Sequence, residues 1–359
     1  MNTQPLTFTH HKPFASFVVK FFILCCALLT LNGCEQKQPV YQQQLLSLGT
    51  LIDITIYGVD DKTAQAGIKD VEQLLERLTH DWHAWRPSKL TEINRKLAAG
   101  ETVTLDAEGE FLMRKGIEKS QRSDGLFNPA IGKLIGLWGF HSDDWSGNKP
   151  PAEAEIQTLL AGNPQMSDLV LEGNQLRSTN PAVELDLGAY AKGYAIDIAL
   201  DALRKRGIKN AIVNAGGNLR LIGSKGKRPW RIGIRDPRGT GVIASLDAHN
   251  DEAVVTSGDY ERYFEYQGQR YHHITDPRTG HPARGAIAAT VIAADGLTAD
   301  GASTALFIAG PEHWRETARG LGIEEAMLID DKGVVHITKA LMQRIHFEQE
   351  TAPRIEVVD

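Results

Sequence analysis

The sequence predicts an α+β fold in which two lobes of mixed α/β structure pack closely together. Short apolar stretches with strand-like alternation are interspersed with stretches of helical periodicity, and neither a regular βαβ rhythm nor an all-β spacing holds throughout. The chain has 359 residues, which is long enough to bury a large core. It contains no internal repeat, coiled coil or low-complexity tract.

The predicted elements follow one another from residue 51. Residues 51–57 alternate as a strand, and the apolar positions between Ala64 and Leu78 recur at helical spacing behind it. Further helices are predicted over residues 107–121 and after Pro150-Pro151, Asp300 and Pro311. Further short strands are predicted at residues 211–213, 232–234, 254–255, 271–274 and 286–293. Residues 138–151 are expected to form a long surface loop.

The first 33 residues predict an export signal rather than folded structure. Basic residues precede an apolar run at 21–31 that is too short to cross a bilayer as a helix. This run leads into LNGC at residues 31–34, which resembles a bacterial lipobox, where the cysteine is lipidated and becomes the new N-terminus. Glu35 after Cys34 favours an outer-membrane location on the periplasmic side. The alternative is a signal peptide that is cleaved elsewhere, with Cys34 incidental.

The expected organisation is a signal peptide over 1–33, a polar tether over 34–45, a main folded domain over 46–345 and a C-terminal tail over 346–359. All three cysteines lie at or before residue 34, so an exported domain would have no internal disulfide. The net charge is −6, and it becomes −8 without the two lysines of the signal. This acidic balance argues against a nucleic-acid role, which favours basic faces.

The segment DLGAYAKGYAID at residues 186–197 combines a strand end with a helix start. An apolar run stops at Gly188, and a helical pattern then continues to Gly207. Free backbone N–H groups at a helix N-terminus suit a phosphate group, and Lys192 in the first turns could reach a diphosphate. The alternative is an ordinary strand–helix joint with a surface lysine. The glycine spacing is not that of a P-loop.

Three other turns carry polar side chains after predicted strands. Residues 214–218 and 256–260 are each either a simple turn or a ligand-binding turn. In the third, His272 and His273 precede a charged turn at 276–280, and a regular strand would point the two rings to opposite faces. One of these histidines could therefore face a cleft as a general base. A metal site at the pair would need a third ligand at suitable spacing, and the nearby sequence offers none.

Asp300 and Thr304 lie four residues apart at the start of a predicted helix. Their oxygens can share one face of its first turns. A carboxylate and a hydroxyl are hard oxygen ligands that suit Mg²⁺. The alternative is an N-capping arrangement in which Thr298 or Asp300 satisfies free N–H groups.

The ordered set of motifs resembles the ApbE family, the FAD:protein FMN transferases, across roughly residues 45–340. The matching stretches lie at residues 48–50, 123–129, 137–140, 186–197, 214–218, 255–259, 273–280 and 298–307. The resemblance implies an ApbE-like fold related to the T-fold, and a periplasmic, Mg²⁺-dependent enzyme. It also implies a reaction that splits FAD, attaches FMN through a phosphoester to a threonine of an acceptor protein, and releases AMP. Subunits of respiratory electron-transfer complexes are typical acceptors.

The resemblance also implies roles for single residues. The matching FAD-contacting positions are Leu48, Trp85, Leu126, Phe127, Asn128, Asp186, Lys192, Ser257, Gly258, Asp259 and His273. The matching metal ligands are the side chains of Asp300 and Thr304 and the backbone oxygen of Ala189. The chain departs from the family pattern with Leu48 for methionine, Asn128 for aspartate and Asn218 where an acidic residue is frequent. None of these changes removes a metal or phosphate ligand.

The implied chemistry gives each group a task. Mg²⁺ and Lys192 would neutralise the charge that develops on the diphosphate, and His273 would take the proton from the acceptor threonine. Asp259 or Asp276 would be the base if His273 only contacts the cofactor. Two other functions use the same residues, namely an FAD diphosphatase with water as the nucleophile and a lipoprotein that binds FAD without catalysis.

Overall fold

The structure is a computed structural model that describes residues 38–348 and 353–359, together with residues 1 and 4. The predicted signal peptide and the lipidation site Cys34 lie outside the described residues. Residues 39–359 form one compact unit. Each helix in the described part of the chain is too short or too polar to cross a bilayer.

A nine-stranded sheet in the order β1-β2-β6-β7-β10-β13-β14-β15-β17 forms the centre of the fold. Neighbouring strands are antiparallel except for the parallel pair β15–β17. Its strands are β1 (Val40–Ser47), β2 (Thr50–Tyr57), β6 (Ala211–Ala215), β7 (Asn218–Ile222), β10 (Glu252–Gly258), β13 (Ala286–Ala293), β14 (Glu325–Asp330), β15 (Val335–Thr338) and β17 (Ile355–Val358).

Three smaller sheets complete the β structure of the described residues, with the orders β3-β5-β4, β16-β9-β8 and β11-β12. Their strands are β3 (Val103–Thr104), β4 (Leu169–Glu172), β5 (Gln175–Ser178), β8 (Trp230–Arg235), β9 (Val242–Ala248), β11 (Tyr263–Tyr266), β12 (Gln269–His272) and β16 (Ile345–Phe347).

Eight α-helices lie in the described part of the chain. They are α1 (Asp61–Asp81), α2 (Lys89–Ala98), α3 (Ala107–Arg122), α4 (Gly132–Leu137), α5 (Glu153–Ala161), α6 (Ala191–Lys205), α7 (Gly296–Leu321) and α8 (Lys339–Met342). The long helix α7 is kinked where Gly310 adopts φ 68° before Pro311, because proline cannot continue the hydrogen-bond ladder.

The two faces of the large sheet are buried differently. Alternating side chains on β2, such as Ile52 and Ile54, pack into the core with Val71 and Leu75 of α1. On the middle of the other face, strands of the large sheet form a second core with β8, β9 and β16. This mixed architecture confirms the predicted α+β class, and no helix or strand lies within the predicted surface loop at 138–151.

Two predicted boundaries are corrected by the structure. The expected tether over 34–45 overlaps β1, which begins at Val40 and pairs along its whole length with β2. This strand is polar because it is an edge strand whose outer face meets solvent, and a polar run of this kind is hard to tell from a linker. The expected tail over 346–359 likewise contains β17, at Ile355–Val358.

Candidate active site

The first turns of α6 and α7 lie in backbone contact. A Cβ atom on Gly193 would lie 2.6 Å from the carbonyl carbon of Gly296, and one on Gly296 would lie 2.5 Å from the Gly193 oxygen. Both distances are too short for any side chain, so glycine is needed at both positions. The sequence DLGAYAKGYAID forms a turn that leads into α6, and Gly193 packs against the start of α7. The strand expected before Gly188 is not formed, since Glu184 makes only an isolated bridge with Ile131.

Each of these helices is capped by a carboxylate from the other. Asp197 of α6 accepts hydrogen bonds from the backbone N–H groups of Gly296 (2.7 Å) and Leu297 (2.9 Å) at the start of α7. Asp300 of α7 accepts one from Gly193 N–H (2.8 Å) in the first turn of α6, which has no capping side chain of its own at Tyr190. These reciprocal bonds fix the position of Asp300 relative to the turn before α6.

The Asp300 carboxylate is buried, with 2% of the residue exposed. Its second oxygen accepts a hydrogen bond from the Asn218 amide at 2.9 Å. Burial raises the pKa of Asp300, while the nearby positive charges of Lys192 and Arg262 act in the opposite direction. The capping role in its own helix belongs to Asp295, which accepts from Thr298 N–H at 2.7 Å. The alternative in which Asp300 or Thr298 caps α7 is therefore wrong.

A group of hydroxyls lies one helical turn further along α7. Ser257 at the end of β10 lies 2.8 Å from the Ser303 hydroxyl and 3.3 Å from that of Thr304. Ala189 lies in the turn that precedes α6. Asp300, Thr304 and the Ala189 carbonyl are oxygen donors of the kind that Mg²⁺ prefers, and a cation would offset the burial of the carboxylate. Among the described residues, no group of three or more His, Cys, Asp or Glu side chains could hold a metal.

The ring of His273 is held through its Nδ1 atom, which leaves Nε2 available to a ligand. The Arg262 carbonyl accepts from the His273 backbone N–H at 3.0 Å and from its Nδ1 at 3.1 Å. Because a carbonyl only accepts, Nδ1 carries the proton and Nε2 keeps its lone pair. Burial, together with the charges of Arg262 and Lys192, lowers the pKa of His273 well below its usual value. The ring is therefore neutral near pH 7 and can accept a proton.

The neighbouring His272 occupies a different environment, as the alternation of the strand predicts. Its Nε2 donates to the Ala283 carbonyl at 2.9 Å, and its ring packs edge-on against Phe307. Burial lowers its pKa to about 4. This histidine is a satisfied core residue.

Asp186 forms a dyad with His141, a residue that the sequence analysis did not identify. The two side chains meet at 2.8 Å, and the other Asp186 oxygen accepts from Gly188 N–H at 2.7 Å. Burial alone would raise the pKa of Asp186, but the hydrogen bond and charge of His141 and the Gly188 N–H lower it. Trp85 stacks on His141 with 5.4 Å between ring centroids. The structure thus brings the predicted residues Asp186 and Trp85 together through His141.

Arg262 is a second residue that the sequence analysis missed. Besides holding His273 with its carbonyl, it lies close enough to lower the pKa of both Asp186 and Asp300. Burial lowers the pKa of its own guanidinium. The charge of Lys192 likewise lowers the pKa of His273 and of Asp300, so two cations lie near these groups. Such a concentration of positive charge beside a buried carboxylate suits a ligand that carries phosphate groups.

The other predicted FAD-contacting residues lie in a hairpin turn or are buried. Leu48 and Gly49 form the two-residue turn between β1 and β2, with φ of 52° and 68°. Leu126 and Phe127 are buried, and Phe127 packs edge-on against Tyr190. The Asn128 amide donates to the Pro164 carbonyl at 2.9 Å and accepts from Ala130 N–H at 3.1 Å.

The two carboxylates considered as alternative bases are held in ion pairs. Asp259, which follows Gly258 at the end of β10, pairs with Arg238 at 2.8 and 2.6 Å. Asp276 pairs with Arg278 through bonds of 2.9 and 2.7 Å. Both carboxylates are engaged by guanidinium groups, whereas His273 is bonded through Nδ1 and keeps its Nε2 lone pair, so His273 is the best-placed base of the three.

Comparison with known proteins identifies relatives over most of the chain. The ApbE family model matches residues 48–328. A protein from Rhodobacter capsulatus named FAD:protein FMN transferase is 39% identical over 326 residues, which cover 89% of this chain and 61% of the relative. A Vibrio cholerae protein of the same name is 31% identical over 85% of this chain and 90% of its own length. The chain thus spans less than two thirds of the first relative and nearly all of the second.

Solved structures show the same fold. The ApbE protein of Thermotoga maritima superimposes with a TM-score of 0.78 at 32% identity, over 87% of this chain and all of the other. The flavinyl transferase ApbE of Pseudomonas stutzeri gives a TM-score of 0.75 at 30% identity, over 86% of this chain and 97% of the other. The residues that form the cluster around Asp300 all lie within the matched region.

Proposed function

Since the chain belongs to the ApbE family, we propose that it is a Mg²⁺-dependent FAD:protein FMN transferase. The substrate is FAD, the acceptor is a threonine of another protein, and the products are a phosphoester-linked FMN and AMP. The observation that carries this proposal is the buried Asp300 carboxylate, fixed by Gly193 N–H and Asn218, with the positive charges of Lys192 and Arg262 nearby. A buried charge of this kind has a high cost in a protein that only binds flavin, and it is useful where phosphate charge is handled.

The proposed metal site uses oxygen donors from α7 and from the turn before α6. The Asp300 carboxylate, the Thr304 hydroxyl and the Ala189 carbonyl would hold Mg²⁺. The metal would supply Lewis-acid stabilisation of the diphosphate oxygens. Lys192 and the N-terminus of α6 would bind the same diphosphate electrostatically.

The proposed transfer step balances as a single displacement. The acceptor threonine oxygen forms a bond to the FMN-side phosphorus, and the bond from that phosphorus to the bridging oxygen breaks. The threonine proton moves to Nε2 of His273, whose Nδ1–H stays bound to the Arg262 carbonyl. AMP leaves with the bridging oxygen, and its charge is met by Lys192.

The flavin would lie beside the dyad of Asp186 and His141. Each Asp186 oxygen is bonded to one protein donor and has a second lone pair. These second lone pairs could accept hydrogen bonds from hydroxyl groups of FAD. Trp85 presents an aromatic ring that stacks on His141, and Leu48, in the turn between β1 and β2, would contribute an apolar side chain. Phe127 and Asn128 would support this pocket from behind, because their side chains are engaged within the protein.

We further propose that the enzyme acts on the periplasmic side of a bacterial membrane, attached to the outer membrane by lipid on Cys34. The proposal is supported by the LNGC sequence at residues 31–34. The expected acceptor is a subunit of a respiratory electron-transfer complex.

The main alternative is an FAD diphosphatase, in which water replaces the threonine. The test is to incubate the protein with FAD, Mg²⁺ and a flavin-free acceptor domain, and to look for fluorescence on a denaturing gel. A fluorescent acceptor band that depends on Mg²⁺ supports the transferase. AMP release without flavin on the acceptor would support the diphosphatase instead. If neither product formed, the result would support a protein that binds FAD without catalysis.

A further inference from the structure

The guanidinium group of Arg262 is partly buried, yet within the described part of the chain it makes no hydrogen bond, ion pair or ring contact. The other arginines in this part of the chain that are not exposed each pair with a carboxylate or donate to a backbone carbonyl; they are Arg204, Arg220, Arg270, Arg315 and Arg344. A charge that is withdrawn from water without a partner has a high cost. The unpartnered guanidinium therefore indicates a ligand that the chain itself does not supply.

This guanidinium lies beside the turn that leads into α6. A Cβ atom on Gly188 would lie 3.8 Å from Nη2 of Arg262 and 2.9 Å from Oδ1 of Asp186. The backbone carbonyl of Arg262 accepts hydrogen bonds from the backbone N–H and the Nδ1–H of His273. Arg262 thus lies next to both the proposed flavin-binding carboxylate and the proposed base.

The carboxylates around Arg262 are engaged by other groups. Both oxygens of Asp186 and both oxygens of Asp300 accept hydrogen bonds from other donors. The adjacent Glu261 lies 3.9 Å from Arg235. The N–H donors of Arg262 therefore stay available, and their planar fork matches two oxygens of one phosphate group.

We propose that the Arg262 guanidinium is a catalytic group that binds the two non-bridging oxygens of the FMN-side phosphate of FAD. The inference rests on the proposed function, in which Lys192 meets the charge of the departing AMP. Arg262 would meet the charge on the phosphoryl group that is transferred. Its position next to Asp186 and His273 places it on the FMN side, because these two residues are proposed to bind the flavin part of FAD and to take the threonine proton.

The guanidinium would act by electrostatics alone. It forms no covalent bond and gives up no proton during the displacement, and it stays bonded to the same two oxygens before and after the bond to the bridging oxygen breaks. Donors that are fixed in place before the reaction stabilise the charge that develops on those oxygens.

The first test compares the binding of riboflavin, FMN and AMP to wild type and to R262Q in the presence of Mg²⁺. R262Q keeps the backbone carbonyl that holds His273 and removes only the charged fork. The matched control is R315Q, because Arg315 is also partly buried and donates to backbone carbonyls towards the C-terminal end of α7. Flavin binding is measured by fluorescence and AMP binding by calorimetry.

R262Q should bind FMN about tenfold or more weakly, and it should bind riboflavin and AMP within about twofold of wild type. R315Q should match wild type with all three ligands. Wild-type affinity of R262Q for FMN would overturn the proposal, and so would a loss of affinity for AMP with none for FMN. Because this binding needs no turnover, it tests the phosphate contact even if wild type transfers no flavin, a result that would refute the proposed function separately.

The second test measures the catalytic role by single-turnover transfer at saturating FAD to a flavin-free flavinylation domain from a respiratory electron-transfer subunit. R262Q should be slower than wild type by roughly 10²-fold or more. R262K should fall between the two, because lysine keeps the charge and loses the fork. A rate for R262Q within a few-fold of an active wild type would overturn the catalytic role.

Thermal unfolding distinguishes this role from a structural one. R262Q should have a Tm no more than about 2 °C below that of wild type, because the guanidinium has no partner in the described part of the chain that its loss would leave unpaired. A much larger fall in Tm would assign Arg262 to the stability of the fold and overturn the proposal.

Discussion

Replacing Asp300 with asparagine separates its proposed metal-binding role from its role in holding two helices together. Asparagine keeps the shape of the side chain, and its oxygen can accept from Gly193 N–H. Its new NH₂ group faces the Asn218 amide, which can rotate by half a turn to present its oxygen. Both hydrogen bonds of Asp300 are then kept in the variant.

The stability expected for this variant follows from the burial of the carboxylate. Because burial raises the pKa of Asp300, the ionised side chain is disfavoured in the metal-free fold, and asparagine removes that cost. Metal-free D300N should therefore unfold within about 1 kcal/mol of wild type, or be slightly more stable. Wild type at a Mg²⁺ concentration of a hundred times its Kd should gain about 2.7 kcal/mol. The corresponding rise in Tm is about 5 °C, and D300N should not show it.

The assay is thermal unfolding of both proteins with and without Mg²⁺, beside binding of FAD under the same conditions. The control is D295A, which removes the N-cap of α7. That variant should lose about 1 kcal/mol at all Mg²⁺ concentrations while keeping the metal-dependent rise. A rise of equal size in D300N would show that Mg²⁺ binds elsewhere and would refute the assignment. A metal-free D300N that is several kcal/mol less stable would show that the carboxylate is chiefly structural.

Three further predictions concern the base, the helix contact and the anchor. H273A should slow single-turnover transfer at saturating FAD by roughly 10²-fold or more through loss of a general base, whereas H272A should be mild; a rate for H273A within a few-fold of wild type would contradict this role. Because the lowered pKa keeps His273 neutral, the wild-type rate should not fall as the pH decreases from about 8 to 6.5, and a sharp fall in that interval would count against it. G193A should lose about 1–3 kcal/mol of unfolding free energy in denaturant titrations and weaken the Mg²⁺ response, because a Cβ atom there meets the Gly296 backbone; wild-type stability would show that the two helices are not in close contact. C34A should release a folded enzyme from membranes after fractionation, and a variant that remains bound after salt washing would place the anchor elsewhere.

The sequence predicted the fold class and the helix that begins beside Lys192 and Gly193, because both depend on local patterns. The strand and helix periodicities follow from burial on one face, and Gly193 marks a close approach that only glycine permits. The ordered motifs gave the family, which the comparisons confirm. The pairing of Asp300 with Thr304 on one helix follows from their spacing of four residues.

The remaining features depend on contacts between distant parts of the chain. Asp300 accepts a hydrogen bond from the N–H group of Gly193, which lies 107 positions away in the sequence. The reciprocal capping of α6 and α7 therefore could not be predicted from either segment alone. His141 is hydrogen-bonded to Asp186, 45 positions away. Arg262 is hydrogen-bonded to His273 because the hairpin of β11 and β12 brings the two residues together. The predicted start of α7 near Asp300 is wrong, because the helix begins at Gly296 after the N-cap Asp295. The polar residues around Asp300 resemble a helix start, although they lie within the first turns of the helix.

The most direct test of the central claim is the mass of an intact acceptor after reaction. A flavin-free acceptor domain is incubated with FAD, Mg²⁺ and either wild type or D300N, then denatured and measured by mass spectrometry with fragmentation to locate any modification. With wild type, we expect the acceptor to gain the mass of FMN less one water on a threonine, with an equal amount of AMP released, and we expect no gain with D300N. An unmodified acceptor in the presence of wild type, while FAD is still converted to FMN and AMP, would contradict the transferase assignment.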